Sequence, residues 1–235
     1  GLSRPEVEAA LMMHGWAATL HDAYDQRYYR TWMHELPPMT HVKRETTIDV
    51  HHAILPETAR LHPDPVRLRA AAQPVPGAQD LQVLAPVDMI LHSATHLFSD
   101  GELEHGLRDL SDLDGLLRHF LGEPDFWQRL AERARELDLA RPLYYALRYT
   151  RRILTTPVPD SAVVMAGAGR PPRLLEWLMD ALFLRALRPD HASCADFFTP
   201  AARGLLYVRS HWLRMPPLLL VRHLLHKALV SPKDH

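Results

Sequence analysis

From Pro86 onward the chain is punctuated like a series of amphipathic helices, and this constrains its fold more than any other feature. Apolar side chains return at three- and four-residue intervals, as in Leu110, Leu113, Leu116, Leu117 and Phe120. That spacing gathers them on one face of a helix, and the face must be covered by a neighbour. Pro86, Pro142 and Pro217 stand where a first helical turn tolerates a residue without an N–H. The pattern predicts helices near residues 86–99, 103–121, 125–138, 141–155, 172–188, 197–214 and 217–229, with Asp125 and Ser193 as caps.

The first third reads differently. Ser3-Arg4-Pro5-Glu6 is a helix start, with Ser3 as cap and Glu6 completing a capping box. Val7, Leu11 and Met12 continue the stripe, and Gly15 ends it. Tyr28 to Leu36 is predicted as a strand stopped by Pro37-Pro38. Thr46 to Ile54 is predicted as a second strand, β-branched and alternating. Ile48 and Val50 point to one face, Asp49 and His51 to the other. The short polar connection between the two runs implies an antiparallel pair. Residues 56–82 are rich in proline and polar groups, with a short helix near Val66 to Ala72. The expected architecture is therefore α+β: a small mixed or antiparallel sheet in a domain over 1–82, then a helical domain over 83–235.

Composition narrows the function classes. With 47% apolar and 23% charged residues the chain is globular rather than disordered. A formal net charge of −1 excludes a global basic field for nucleic acid, although a local patch is compatible with it. Cys194 is the only cysteine, so no internal disulfide forms. This, with no secretory signal at the start, points to a reducing, cytoplasmic setting. The apolar run Leu218 to Val221 is far short of the roughly 20 residues that span a bilayer.

Asp49 is the residue that asks for chemistry. A carboxylate in an apolar strand needs a solvent-facing surface, a basic partner or a metal. Nucleotidyl transfer uses clustered carboxylates that hold two divalent ions, and strands supply such clusters rigidly. The other reading is an exposed, salt-bridged strand acid.

Three segments taken together carry a resemblance. They are Arg44-Glu45-Thr46-Thr47-Ile48-Asp49-Val50-His51-His52 with Leu55-Pro56, then Leu84-Ala85-Pro86-Val87-Asp88-Met89-Ile90-Leu91-His92 with His96, then Leu107-Arg108-Asp109-Leu110-Ser111-Asp112-Leu113. In this order they resemble the uncharacterised bacterial nucleotidyltransferase-like family, over residues 1 to about 155. The resemblance implies a nucleotidyltransferase-type mixed sheet followed by helices. It also implies a catalytic centre built from a Gly-Ser turn, an Asp-x-Asp pair on an early strand and a third acid on a later one. Asp49 falls at the third position, which makes it the implied catalytic carboxylate and Mg²⁺ ligand. The donor would be a nucleoside triphosphate and the acceptor a protein, an RNA or a small molecule. His51 would orient Asp49 or touch a phosphate, and His96 would reach the nucleotide side of the cleft. In the family pattern the Gly-Ser turn and the Asp-x-Asp pair precede the helix that starts here at Ser3, and this sequence has neither. Asp112-Leu113-Asp114 sits in a helical pattern that points its acids in different directions. The expectation is that this chain alone does not catalyse transfer: its catalytic segment is missing, or it is a non-catalytic binding or scaffold member with a degenerate fold.

Other constellations are weighed beside this one. Asp88, His92 and His96 are spaced i, i+4, i+8, a stripe that would suit a zinc-dependent hydrolase, but Ser93 stands where the metalloprotease helix carries its Glu. The preferred reading of this stripe is histidines hydrogen-bonded at a helix–helix or helix–sheet interface. His52 is expected on the opposite sheet face from His51. No acid occurs between Asp196 and Asp234, a stretch holding Arg203, Arg209, Arg214, Arg222, Lys227 and Lys233 with Tyr207 and Trp212. It reads either as solvated amphipathic helices or as a peripheral membrane or protein contact. Tyr24, Tyr28, Tyr29 and Trp32 could stack a base or simply pack.

Overall fold

The computed structural model describes residues 3–19, 23–78, 80–101, 103–217 and 221. The chain is α+β and mainly helical, with small antiparallel sheets. It divides into two compact units, Gly1–Ala59 and Arg60–His235.

The first unit opens with α1 (Arg4–Met13). The Glu6 carboxylate accepts from the Ser3 backbone N–H at 2.6 Å, as the capping box requires. Gly15, at φ +88°, turns the chain into β1 (Trp16–Ala18). Next comes α2 (Ala23–Trp32), where the sequence suggests a strand beginning at Tyr28. Tyr24, Tyr28 and Trp32 recur every fourth residue, so helical period prevails over the strand preference of their rings. The sheet has order β1-β2-β3, all antiparallel, with β2 at Met39–His41 and β3 at Thr47–Ile48.

The expected strand from Thr46 to Ile54 is thus much shorter. Met39 pairs with Ile48, yet the next bridge joins Glu35 to His51. Four steps along one side match three along the other, so the Pro37-Pro38 side bulges by one residue. Neither proline has an N–H to offer Asp49 and Val50, and pairing resumes only where Leu36 N–H donates to the Val50 carbonyl at 2.9 Å.

The second unit begins with α3 (Pro65–Ala70), where the Asp64 side chain caps Val66 N–H at 2.8 Å. A two-stranded ribbon follows, β4 (Gln73–Pro74) with β5 (Gln82–Val83). Composition places the domain boundary at 82/83, whereas the compact units part after Ala59. The segment from 60 to 82 is held to the helices: Arg60 N–H donates to the Leu213 carbonyl, and Arg133 reaches the Arg67 carbonyl.

The remaining helices are α4 (Pro86–Asp100), α5 (Gly106–Phe120), α6 (Phe126–Glu136), α7 (Ala140–Leu154), the short α8 (Asp160–Met165), α9 (Arg173–Ala186) and α10 (Thr199–Arg214). Six of these match an expected helix to within three residues at each end, whereas α8 has no counterpart in the sequence pattern; Asp125 precedes α6 without a side-chain capping bond, and Phe198, not Ser193, precedes α10. The expected helix at 217–229 lies outside the described residues, apart from Pro217 and Val221. The core forms where α4, α5, α7 and α9 present Ile90, Leu91, Leu110, Leu113, Tyr149 and Phe183, all nearly inaccessible. Two ionic fastenings complement it. Asp88 on α4 is gripped by Arg133 of α6. On α9, Glu176 and Asp180 meet Tyr144, Arg148 and Arg152 of α7. Among the described residues no helix is long and apolar enough to cross a membrane.

Candidate functional site

Asp49 directly follows β3. The exposure pattern alternates through this segment: Thr47, Asp49 and His51 are exposed, while Ile48 and Val50 are partly covered. Asp49 and His51 therefore share the open face of the hairpin, as period-two geometry requires. His96 lies on α4 in the second unit and is exposed.

The bulge creates a grouping that the sequence does not reveal. By setting Glu35 opposite His51, it brings His34, Glu35 and His51 together, with one possible ligand atom from each within 4.8 Å of the others. His51 Nε2 is 3.1 Å from Glu35 Oε2, and the His34 and His51 rings stand 5.0 Å apart, centre to centre. Zinc holds nitrogen and carboxylate oxygen at roughly 2.0–2.2 Å. The 3.1 Å pair is already at a spacing two such ligands adopt. Two imidazoles and one carboxylate are the donor set of zinc or a related transition ion. Mg²⁺ prefers oxygen ligands throughout. Among the described residues, no group joins Asp49 to two further metal-ligating side chains. The residues present here thus do not compose a Mg²⁺ site by themselves.

A cavity of about 410 Å³ adjoins this group and is lined by Arg4, Arg30, Glu35, Leu36 and His52. Its cations are already engaged. Arg30 forms a fork with Glu8, both contacts at 2.6 Å, and this carboxylate holds the Arg30 pKa above its ordinary value. Arg4 meets Glu57 at 3.3 Å. A phosphate entering here would have to compete with both carboxylates.

The helix stripe Asp88-His92-His96 does not form a ligand set. Asp88 is completely buried and accepts from Arg133 Nε at 2.8 Å and Nη2 at 2.9 Å. This pairing draws the stripe's one carboxylate into the packing between α4 and α6. Asp112 and Asp114 lie on α5, where Asp114 is held by Arg118 at 2.8 Å and Thr156 at 2.6 Å. In the basic stretch near the C-terminus, Arg203 pairs with Asp190 at 2.8 Å, and Trp212 lies 4.4 Å beneath the Arg60 guanidinium. Arg222, Lys227 and Lys233 lie outside the described residues. Tyr29 and Trp32 belong to α2, not to a strand.

His34 and Glu35 are the site residues that sequence reasoning missed. They fall at the end of the run mistaken for a strand. Their only signal is a His-Glu pair across a hairpin from His51-His52, and it becomes legible only once the proline bulge sets the register.

Asp49 and His51 share the exposed face beside a small antiparallel sheet, and a mainly helical region follows, the arrangement that the resemblance to nucleotidyltransferase-like proteins implies. A family model described as an uncharacterised nucleotidyltransferase matches residues 3–155, and the chain belongs to that family. No curated protein matches it, and no solved structure does.

Proposed function

We propose that the protein serves in metal-dependent nucleotidyl transfer from a nucleoside triphosphate, with Asp49 as one of the catalytic carboxylates. The observation that carries this is the position of Asp49: an acid on the open face of the hairpin directly after β3, in the segment that resembles the family's third-acid strand. In such a reaction an acceptor hydroxyl attacks the α-phosphorus and a new O–P bond forms. The bond to the bridging oxygen breaks, and pyrophosphate leaves with the electron pair. Asp49 suits two tasks there: taking the proton from the acceptor hydroxyl, and contributing one oxygen to a Mg²⁺ site. His51, on the same face, would orient that carboxylate or meet a phosphate oxygen.

The reading requires two further carboxylates and a phosphate-binding turn, and among the described residues no group joins Asp49 to two further metal-ligating side chains. The remaining residues therefore bear on binding more than on turnover. The test is direct. Binding of nucleoside triphosphates carrying a fluorescent reporter is measured with and without Mg²⁺, for the unaltered protein and for Asp49→Asn. Mg²⁺-dependent binding that is lost in Asp49→Asn supports the assignment. Binding that survives the substitution removes Asp49 from the site and the proposal with it.

A further inference from the structure

In the helical unit two half-buried arginines meet no acid among the described residues. Arg209 of α10 lies against aromatic rings, its guanidinium carbon 5.7 Å from the centre of Tyr145 and 5.6 Å from that of Phe183. Its Nη1 donates to the Phe98 carbonyl at 2.8 Å. Burial pulls the Arg209 pKa below the ordinary arginine value, and the nearby Arg141 adds repulsion of like sign. The Nε of Arg141 is itself buried without a hydrogen-bond partner. Among the described residues, neither arginine forms an ion pair. Elsewhere in this unit arginines are matched to acids, as Arg133, Arg148 and Arg203 are.

Both arginines line one cavity of about 430 Å³ between α4, α7, α9 and α10. This lies within the roughly 300–1,000 Å³ of small-molecule sites. Apart from the two cations, Ser99 and the ring-borne polar atoms of Tyr145 and Trp212, the walls are apolar, including Phe98, Pro142, Leu178, Leu182 and Leu213. Leu175, Leu178 and Leu205 line the cavity and are also exposed, so it opens on an apolar surface. Arg141 stands in the first turn of α7, the end at which the helix dipole favours an anion. The chemistry is that of a molecule with one negative head and one apolar tail. A neutral apolar guest would leave both guanidiniums uncompensated. A nucleotide would find too few polar partners for its sugar and base, and a two-chain lipid would not fit the volume.

We propose that this cavity binds a free single-chain acyl carboxylate, its head between Arg141 and Arg209 and its tail along Leu178, Leu182 and Leu213. The site lies wholly within the second unit and requires nothing of Asp49, so it stands or falls apart from the nucleotidyl-transfer reading.

The test is calorimetric titration of the whole chain with octanoate, decanoate and dodecanoate. Affinity should tighten about fourfold for each added methylene until the cavity is full. Decanol and decyltrimethylammonium should bind at least about tenfold more weakly than decanoate. Arg209→Met and Arg141→Met should each weaken decanoate about tenfold or more, yet leave decanol within about twofold, which also shows that the cavity is intact. Leu182→Trp, which fills the space, should abolish binding of both. Equal affinity for decanol and decanoate overturns the proposal, as does indifference of decanoate to both arginine substitutions. Absence of decanoate binding overturns it too. Binding to phosphatidylglycerol vesicles without binding to decanoate would mean that the arginines serve an anionic surface instead.

Discussion

Replacing Arg133 with methionine tests the central fastening of the helical unit. The substitution keeps the apolar stem and removes the guanidinium that covers Asp88. The Asp88 side chain has no exposure and that of Arg133 only 14%, and two hydrogen bonds of 2.8 and 2.9 Å join them. Removing one partner of a buried pair leaves the other's desolvation unrelieved, at a cost of about 3–5 kcal/mol. Arg133 also donates to the Arg67 carbonyl and to Glu136, so its loss should fall at the upper end. Asp88→Leu should cost less, about 3 kcal/mol, because Glu136 still partners the arginine. The double variant Asp88→Leu/Arg133→Met replaces the pair with apolar groups and should lie within about 2 kcal/mol of the unaltered protein. For a chain of this size, each kcal/mol shifts the melting temperature by about 2–4 °C. Arg133→Met should therefore melt about 8–20 °C lower, and the double variant should recover most of that loss. Urea and thermal unfolding followed by far-ultraviolet circular dichroism provide the readout. A double variant as unstable as the sum of the two single ones would refute the reasoning, because nothing would then couple the two charges. So would an Arg133→Met variant that loses less than about 1 kcal/mol.

The other predictions concern separate regions. Asp49→Asn changes an exposed side chain and should leave the melt within about 0.5 kcal/mol, so any lost nucleotide binding reports on the site rather than on folding. If the chain takes up zinc, spectroscopic titration with Co²⁺ should show a site that His51→Ala removes and His92→Ala spares, because among the described residues only His34, Glu35 and His51 converge as a group of three. Burial raises the Asp180 pKa, but the hydrogen bonds from Arg148 and Arg152 outweigh it and hold the group below its ordinary 3.8. The sign follows: Asp180 adds stability at and above that value and loses it as pH falls. Acid unfolding followed below about pH 4 should be less steep in Asp180→Asn. Gly169→Ala places a Cβ against the Ala140 carbonyl and should destabilise the protein by about 2 kcal/mol or more, measured by urea denaturation.

Much of this molecule is legible in its sequence. The capping box at Ser3 and Glu6, the first-turn prolines and the leucine spacing of α5 act over one or two turns, so they fix helices without outside help. The alternation around Asp49 places it with His51 on an open face even though regular pairing ends at Ile48. The three segments quoted above, read in order, are enough to mark the family. The same local rules fail at α2, where tyrosines that favour strands lie at helical spacing and the helix forms.

Tertiary structure decided what distant residues do together. Asp88 is separated from Arg133 by 45 positions, and Arg209 from Phe98 by 111, so no local pattern relates them. Asp88 reads as part of a histidine stripe in the sequence, and packing of α4 on α6 makes it the anchor of a salt bridge. Arg209 reads as one more basic residue on a terminal helix, and the fold turns it inward against aromatic rings. His34 and Glu35 meet His51 only because two prolines cannot donate to the strand opposite them and shift its register by one residue. Caps and periodicity act through nearest neighbours, whereas the partner of a buried charge is settled only when the helices and strands close on one another.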